Sequence, residues 1–454
     1  MPSCFANCEW RIASFPTAIL LRLMRPANRL AIFLIVTSSL LAQSTKKPAA
    51  NHARMTPDQI QNSALVIDTH ADTPQRMVDD DYDLASPLNG GHWNIEAARK
   101  ANLGAQFFSI WVEPKKNVRD PIKRAMLQID AVHEQVKKHP DELMLALGTK
   151  DILAARKQKK IAILMGLEGG HAIEDSIPVL RDYYKLGVRY MTLTWANSTS
   201  WAQSSGDLPK PDPQTGKVKD VGMSDWGRNL VREMNRLGMI VDISHVSDRS
   251  YYNALTASRA PVIASHSSAR AVTDHPRNMS DEMLVQLTRN GGVAMVNFYC
   301  GFISDDFAKA REAQKAERES ALAELEKQYN DPDSKVAFTE LQRAETQWAA
   351  KLPRPPLSAL IDHIDHMVKV AGIDHVGIGS DLDGVTCTPE GIDSVADFPK
   401  ITEALMTRGY TSDQIHKILG GNLMRVFQEV ERVAKEIQAE QQQDKRREVA
   451  PERQ

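Results

Sequence analysis

Residues 161–171 read Ile161-Ala162-Ile163-Leu164-Met165-Gly166-Leu167-Glu168-Gly169-Gly170-His171. An uncharged, mostly aliphatic run ends abruptly in a carboxylate, two glycines and a histidine. A strand with one face in water would alternate apolar and polar residues; this run does not, as expected for a strand covered on both faces. The pattern recurs at Leu65–His70, Ala105–Val112, Val188–Thr194, Met239–His245, Pro261–His266, Val293–Tyr299 and His375–Asp381. Between these runs lie helical patterns. Ile177–Leu186 and Trp226–Leu237 carry apolar residues at three- and four-residue spacing and are followed by Gly187 and Gly238, where a helix C-terminal glycine would stand. Ser224 and Ser280 are placed as N-caps, Ser280 with Asp281 and Glu282 after it.

Eight buried strands alternating with helices predict an α/β fold, a (β/α)8 TIM-type barrel. The runner-up is a doubly wound open sheet. The count of eight, and the lack of a glycine-rich dinucleotide loop after the first strand, favour the barrel. Residues 305–350, dense in Ala, Glu, Lys, Arg and Gln, read as a solvent-exposed helical insertion between the seventh and eighth strands, with Asn330-Asp331-Pro332 as its turn. The catalytic barrel domain is expected over 56–432, after a linker over 45–55. Residues 433–454, charged and Gln-rich, are expected to be disordered.

Before the linker, Arg25 and Arg29 precede an apolar run from Leu30 to Leu41, and Ala42-Gln43-Ser44 offers a cleavage site. Residues 1–44 therefore read as an export signal, with Met24 a candidate true start. The run is short for a membrane span, though an N-terminal anchor is the alternative. The expectation is an exported protein, periplasmic or extracellular, without a stable membrane anchor. The net charge of −2 points to neither nucleic acid nor an anionic membrane surface as a partner. Cys300 and Cys387 are far apart and lack a Cys-X-X-Cys spacing, so neither a disulfide framework nor a thiolate metal site is expected.

The strand ends carry the chemistry. Asp68-Thr69-His70-Ala71-Asp72, Glu168-Gly169-Gly170-His171, Ile243-Ser244-His245, Ala264-Ser265-His266 and Gly379-Ser380-Asp381-Leu382-Asp383 close five of the eight strands. In a β/α barrel these ends converge on one face. His70 and Asp72, two apart, would point the same way on a strand. Carboxylates gathered out of water repel one another unless a cation compensates, so the six residues His70, Asp72, Glu168, His245, His266 and Asp381 read as metal ligands. Imidazole plus carboxylate without thiolate suits Zn²⁺, with Mn²⁺, Co²⁺ or Fe²⁺ as alternatives. Six ligands exceed the need of one catalytic zinc, so two ions are expected. Glu168 is the chosen bridge, its two following glycines allowing close backbone approach. Such a pair would polarise a carbonyl and generate a bound hydroxide near neutral pH.

These motifs, together with Val66–Pro74, Arg189-Tyr190-Met191-Thr192-Leu193-Thr194, Val241-Asp242, Ser267-Ser268, Gly384 and Gly421-Asn422-Leu423, resemble the membrane (renal-type) dipeptidases in the family's own order, over roughly residues 60–430. The resemblance implies a zinc metallopeptidase that hydrolyses dipeptides by a metal-bridging hydroxide. His70 and Asp72 would hold the first zinc and His245 and His266 the second. Glu168 would bridge, and Asp381 would touch the first zinc and carry the proton from water to the leaving amine. Arg277 would clamp the substrate's C-terminal carboxylate and Tyr299 would lie near the substrate. A homodimer is a family-level expectation. Where better-known members have a histidine after Thr-Leu-Thr, this chain has Trp195, so polarising the carbonyl would fall to Asn197 or to the metal alone. His171 would either orient Glu168 or be a packed structural histidine; Asp383 receives no role. The family's lipid-anchor signal is missing, and its disulfides do not transfer to Cys300 and Cys387. The alternative is another metal-dependent amidohydrolase acting on a small amide. Those commonly begin with His-X-His and use a lysine bridge, and neither is present.

Overall fold

The computed structural model describes residues 55–114, 120–328 and 335–449. The expected export signal, the linker up to residue 54 and the Asn330-Asp331-Pro332 turn lie outside them. No helix among the described residues is long and apolar enough to cross a membrane.

Nine strands are present among these residues: β1 (Val66–Ala71), β2 (Leu103–Trp111), β3 (Leu143–Leu145), β4 (Ile161–Glu168), β5 (Val188–Thr192), β6 (Ile240–Asp242), β7 (Ile263–Ala264), β8 (Val293–Val296) and β9 (Val376–Ile378). Eight run parallel in the order β1-β2-β4-β5-β6-β7-β8-β9. The ring is drawn together where Ala71 bridges Leu382, with Asp72 N–H donating to Leu382 O (2.8 Å) and Asp381 N–H to His70 O (3.0 Å). The (β/α)8 reading holds. β3 was not anticipated. It takes one edge of β4 at Ile161–Ile163, and β5 takes over from Met165.

Every residue of β1, β2, β4 and β5 is buried, as the unbroken apolar runs required. The barrel interior is filled by Ile67, Phe107, Leu164, Tyr190, Ile240, Ile263 and Met295. One end is stopped by Leu423, Val426, Phe427 and Val430 of the closing helix Asn422–Val449. Asn422, 3% exposed, starts this plug by donating its side-chain amide to Ile373 O and Val376 O. The expected caps are in place: Ser224 accepts from Gly227 N–H, and Ser280 from Met283 N–H.

The strands β6 and β7 are shorter than their apolar runs. The Asp242 carboxylate accepts the N–H groups of Ser244 (3.0 Å) and Ser265 (2.8 Å), so a side chain replaces the ladder before the histidines are reached. Asp68 does the same for Ser380 N–H (2.8 Å).

Two expectations are corrected. Residues 433–449 continue the closing helix. Composition suggested disorder, but Val433 and Ala434 extend the apolar stripe of Val426 and Val430 into the core, and Gln438 donates to Arg236 O. Cys300 and Cys387 form a disulfide. Distance along the chain, 87 residues, obscured a meeting that the barrel enforces, because Cys300 follows β8 and Cys387 follows its neighbour β9. The bridge packs with Phe307, Ala349, Tyr299 and Leu352 at the root of the insertion. Closing so long a loop removes much unfolded-chain entropy, so replacing both cysteines with serine should cost about 2–4 kcal/mol. Denaturant titration of oxidised and reduced protein measures it; coincident curves would count against the bridge.

Candidate metal centre

The C-terminal ends of β1, β4, β6, β7 and β9 bring His70, Asp72, Glu168, His245, His266 and Asp381 together, as the sequence predicted. β1 does so irregularly. Its register against β2 shifts between Asp68 and Ala71. Thr69 then bonds across the barrel to Ser265 O and Ile378 O while the next residue, His70, reaches Tyr190. Strict alternation would forbid two successive inward side chains. Asp72 lies beyond the strand as the N-cap residue of helix Thr73–Asp79. The pairing of His70 with Asp72 thus comes from an irregularity and a helix start, not from a two-residue period.

His70 and His266 are 0% and 1% exposed. Their neighbours fix the tautomers. Tyr190 Oη donates to Thr69 O (3.1 Å), so it accepts from His70 Nδ1–H (2.8 Å). Ser265 Oγ donates to Asp242 Oδ2 (2.6 Å), so it accepts from His266 Nδ1–H (2.8 Å). Each hydroxyl has one proton to give, and it is spent elsewhere. Both histidines therefore aim an Nε2 lone pair into the centre. Gly166 makes room for the Tyr190 ring: a Cβ there would fall 1.9 Å from Tyr190 Cζ.

What these lone pairs meet is more negative charge. His70 Nε2 lies 3.4 Å from Asp72 Oδ2, 3.3 Å from Glu168 Oε2 and 3.9 Å from Asp381 Oδ1, and has no hydrogen-bond partner. Glu168 Oε1 faces the other pair, 3.0 Å from His245 Nε2 and 3.5 Å from His266 Nε2. His245 and His266 Nε2 are 2.9 Å apart. A buried cluster of this kind requires cations. Burial opposes a charge on His70, yet Tyr190, Glu168 and Asp72 hold its pKa well above the usual range. Burial, with Asp72 and Glu168 adding to it against the pull of His70, raises Asp381 to about 8. Burial and Arg277 push His245 down to about 3, and burial and His70 push His266 well down, leaving both imidazoles neutral, the ligand form. The donor set and the orphaned Nε2 fit a metal. Two groupings have ligand atoms within 4.8 Å of one another: His70, Glu168 and His266, and His70, Asp72 and Asp381.

Asp381 is further held by Asn297 Nδ2 at Oδ2 (2.8 Å), and Ser109 Oγ donates to Glu168 Oε2 (3.0 Å). Asp381 (φ 63°) and His245 (φ 68°) adopt the left-handed region that non-glycine residues seldom enter. Both follow a strand and must turn back over its end to face the centre.

A cavity of about 740 Å³ opens over this floor, lined by Asp72, Glu168, His245 and Asp381 and also by Arg277, Tyr299 and Trp195. Arg277, 8% exposed, donates to Ser267 Oγ and His266 O (both 3.2 Å). Its Nε has no partner, and it forms no ion pair among the described residues. Burial lowers it to about 10. Trp195 packs between Trp111 (5.1 Å) and His245 (6.2 Å). Asn197 does not line the cavity; its amide is turned to Ser198 O. His171 Nε2–H donates to Val112 O and makes no hydrogen bond to Glu168, the packed alternative of the two foreseen. Asp383 gains a place: it accepts from Thr73 Oγ1 and His92 N–H (both 2.6 Å), tying the β9 end to helix Thr73–Asp79.

The hydroxyls of Tyr190, Ser265 and Ser109 and the amide of Asn297 were not singled out from sequence. All four did carry a signal, a polar residue within or just beyond a buried strand. The insertion was expected to stand in solvent, yet Arg311, Arg318 and Glu345 line the same cavity.

Residues 55–441 match the family model for membrane dipeptidase, peptidase family M19. The uncharacterized dipeptidase C965.12 of Schizosaccharomyces pombe is 34% identical over 420 residues, 87% of this chain and 85% of that protein. The probable dipeptidase PvdM from Pseudomonas aeruginosa has a similar structure, with a TM-score of 0.69 at 25% identity, covering 83% of this chain and 98% of its own. A metallo peptidase from Rhodobacter sphaeroides, solved with a phosphinate mimic of the dipeptide L-Ala-D-Ala, shares the fold at a TM-score of 0.64 and 21% identity, over 81% of this chain and 99% of its own. A parallel barrel with buried histidines and carboxylates at its strand ends, matched over nearly its whole described length, places the chain in the membrane dipeptidase family of metal-dependent peptidases.

Proposed function

We propose that the protein is a binuclear zinc dipeptidase in which His70, Asp72 and Asp381 hold one ion, His245 and His266 hold the other, and Glu168 bridges them. The observation that carries this is the division of Glu168: Oε2 faces His70 and Oε1 faces His245 and His266. Manganese or cobalt would suit the same oxygen and nitrogen donors. When bound, a metal pair supplies Lewis-acid polarisation of the scissile carbonyl and a nucleophilic water near neutral pH.

The chain's own groups do the rest. Arg277, a planar fork with no ion pair among the described residues, holds the carboxylate of the C-terminal residue. That fixes the peptide bond one residue away, over the carboxylates, and leaves no place for a third residue beyond it. A dipeptide analogue bound to the Rhodobacter sphaeroides relative favours the same substrate class. Asp381 takes the proton released from the attacking water and returns it to the leaving amine. Asn297 holds Oδ2 in place while this occurs at Oδ1. Trp195 walls the cavity beside His245 and offers one N–H at most, and Asn197 is turned away, so polarising the carbonyl would fall to the bound metal. Export to an oxidising compartment is favoured by the Cys300–Cys387 bridge.

Two outcomes follow. Gently purified protein should contain close to two equivalents of divalent metal and should hydrolyse dipeptides but not their tripeptide extensions. Absence of metal on elemental analysis, or equal rates on tripeptides, would sink the reading. Asp381→Asn should keep most of the metal while lowering kcat by about 10²–10⁴-fold, the usual worth of a positioned proton carrier. Parallel loss of metal and rate would reduce Asp381 to a ligand.

A further inference from the structure

We infer that Arg311 and Arg318, from the insertion, form a subsite for an acidic side chain on the C-terminal residue of the dipeptide. The inference rests on the dipeptidase reading and adds a substrate preference to it.

The insertion follows β8 as helices Asp305–Ala313, Lys315–Gln328 and Lys335–Ala349. The third of these packs on helix Thr73–Asp79, whose N-cap residue is Asp72. The insertion is therefore a wall of the catalytic cavity, and the disulfide with Phe307 and Ala349 fixes its root. In that wall two guanidinium groups share one carboxylate. Arg311, 7% exposed, bonds Glu345 Oε2, and Arg318 Nη1 lies 3.5 Å from the same oxygen. Both Nε atoms are buried without a hydrogen-bond partner. Among the described residues the two guanidinium groups thus have one carboxylate between them, with donor capacity unused, and an incoming carboxylate supplies a second.

Three acids of the same cavity have partners of their own, Asp80 lying 3.8 Å from Arg76 Nε. Asp79 accepts both Nη atoms of Arg124, and Asp383 is bonded by Thr73 and His92. Position selects the substrate residue. A line of rings leads from the carboxylate clamp to the arginines: Arg277 over Phe302 (5.3 Å), Phe302 against Tyr299 (4.9 Å), Tyr299 against Phe307 (6.3 Å), and Arg311 one turn beyond Phe307 on the same helix. Arg277, Tyr299, Phe302, Arg311 and Arg318 line one cavity, so the side chain of a residue held on Arg277 shares that cavity with the arginines. A long acidic side chain meets the arginines, and its amide isostere brings no charge to them.

The test compares kcat/KM for Ala-Glu against Ala-Gln, and for Glu-Ala against Gln-Ala, using the full metal-loaded chain. Wild type should favour Ala-Glu over Ala-Gln by about tenfold or more, the worth of a charge-assisted contact, with no such ratio at the first position. Arg318→Gln should bring the ratio to about one and leave Ala-Ala hydrolysis essentially unchanged. Glu345→Gln, which frees a further charge, should raise it. A wild-type ratio near one, a preference confined to the first position, or a ratio that Arg318→Gln leaves intact would overturn the subsite. If the arginines only clasp the insertion helices together, Arg318→Gln lowers the melting temperature and leaves the ratio alone. Failure to hydrolyse Ala-Ala as well would overturn the dipeptidase reading itself, and the subsite with it.

Discussion

Two hydroxyl groups decide what this barrel end can bind. Tyr190 and Ser265 each give their only proton to an acceptor, Thr69 O and Asp242 Oδ2, and so must accept from the Nδ1–H of His70 and His266. The consequence is two Nε2 lone pairs aimed at carboxylates in a region almost closed to water. Neither histidine can relieve the repulsion by changing tautomer, because Nδ1 would then face a hydroxyl oxygen with no proton to offer it. The centre is left with a standing requirement for positive charge, and the ordering of these hydroxyls sets it before any ligand arrives.

The same logic explains why the barrel is least regular where it is most functional. Asp242 and Asp68 accept backbone N–H groups that a longer strand would have paired. The ladder stops early, and the freed ends swing His245, His266 and Asp381 over the cavity floor. Two of these adopt left-handed backbone conformations, which cost of order 1–3 kcal/mol each and persist only where surrounding structure enforces them. The enforcing structure is the buried interior below, closed off by the helix that begins at Asn422. A continuous apolar core thus supports a polar layer that would not be stable by itself.

This division also marks what could be read in the sequence. The apolar run 161–168 translates directly into β4, and the run 188–194 into β5 less its last two residues, because burial on both faces leaves a local pattern. The ligands were legible because a charged residue closing an apolar strand conflicts with the hydrophobic pattern. Contacts made by closure of the ring were not. Cys300 meets Cys387, and Asp242 reaches Ser265, only once neighbouring strands are paired. The register shift in β1 left no trace either, and without it the two-residue spacing of His70 and Asp72 suggested the right pair for the wrong reason. Composition misjudged the start of the stretch 433–449, where Val433 and Ile437 carry the apolar stripe of the closing helix on into a charged background.

The insertion separates the two levels of function. The six residues proposed to gather cations lie at or just beyond strand ends, set by the closed geometry of the barrel. The wall built by the insertion is joined to this floor by β8, by the disulfide, by the Tyr299–Phe307 contact and by packing on the helix that Asp72 begins, and in the proposed reading this wall meets the substrate side chain. Substitutions in that wall can alter which dipeptide is accepted without disturbing the tautomers of His70 and His266, since no side chain of the insertion bonds to Tyr190, Ser265 or Asp242 among the described residues. Trp195 belongs to the same upper level: it walls the cavity beside His245. Specificity in this chain can therefore vary through the cavity walls while the charge requirement of the floor stays constant.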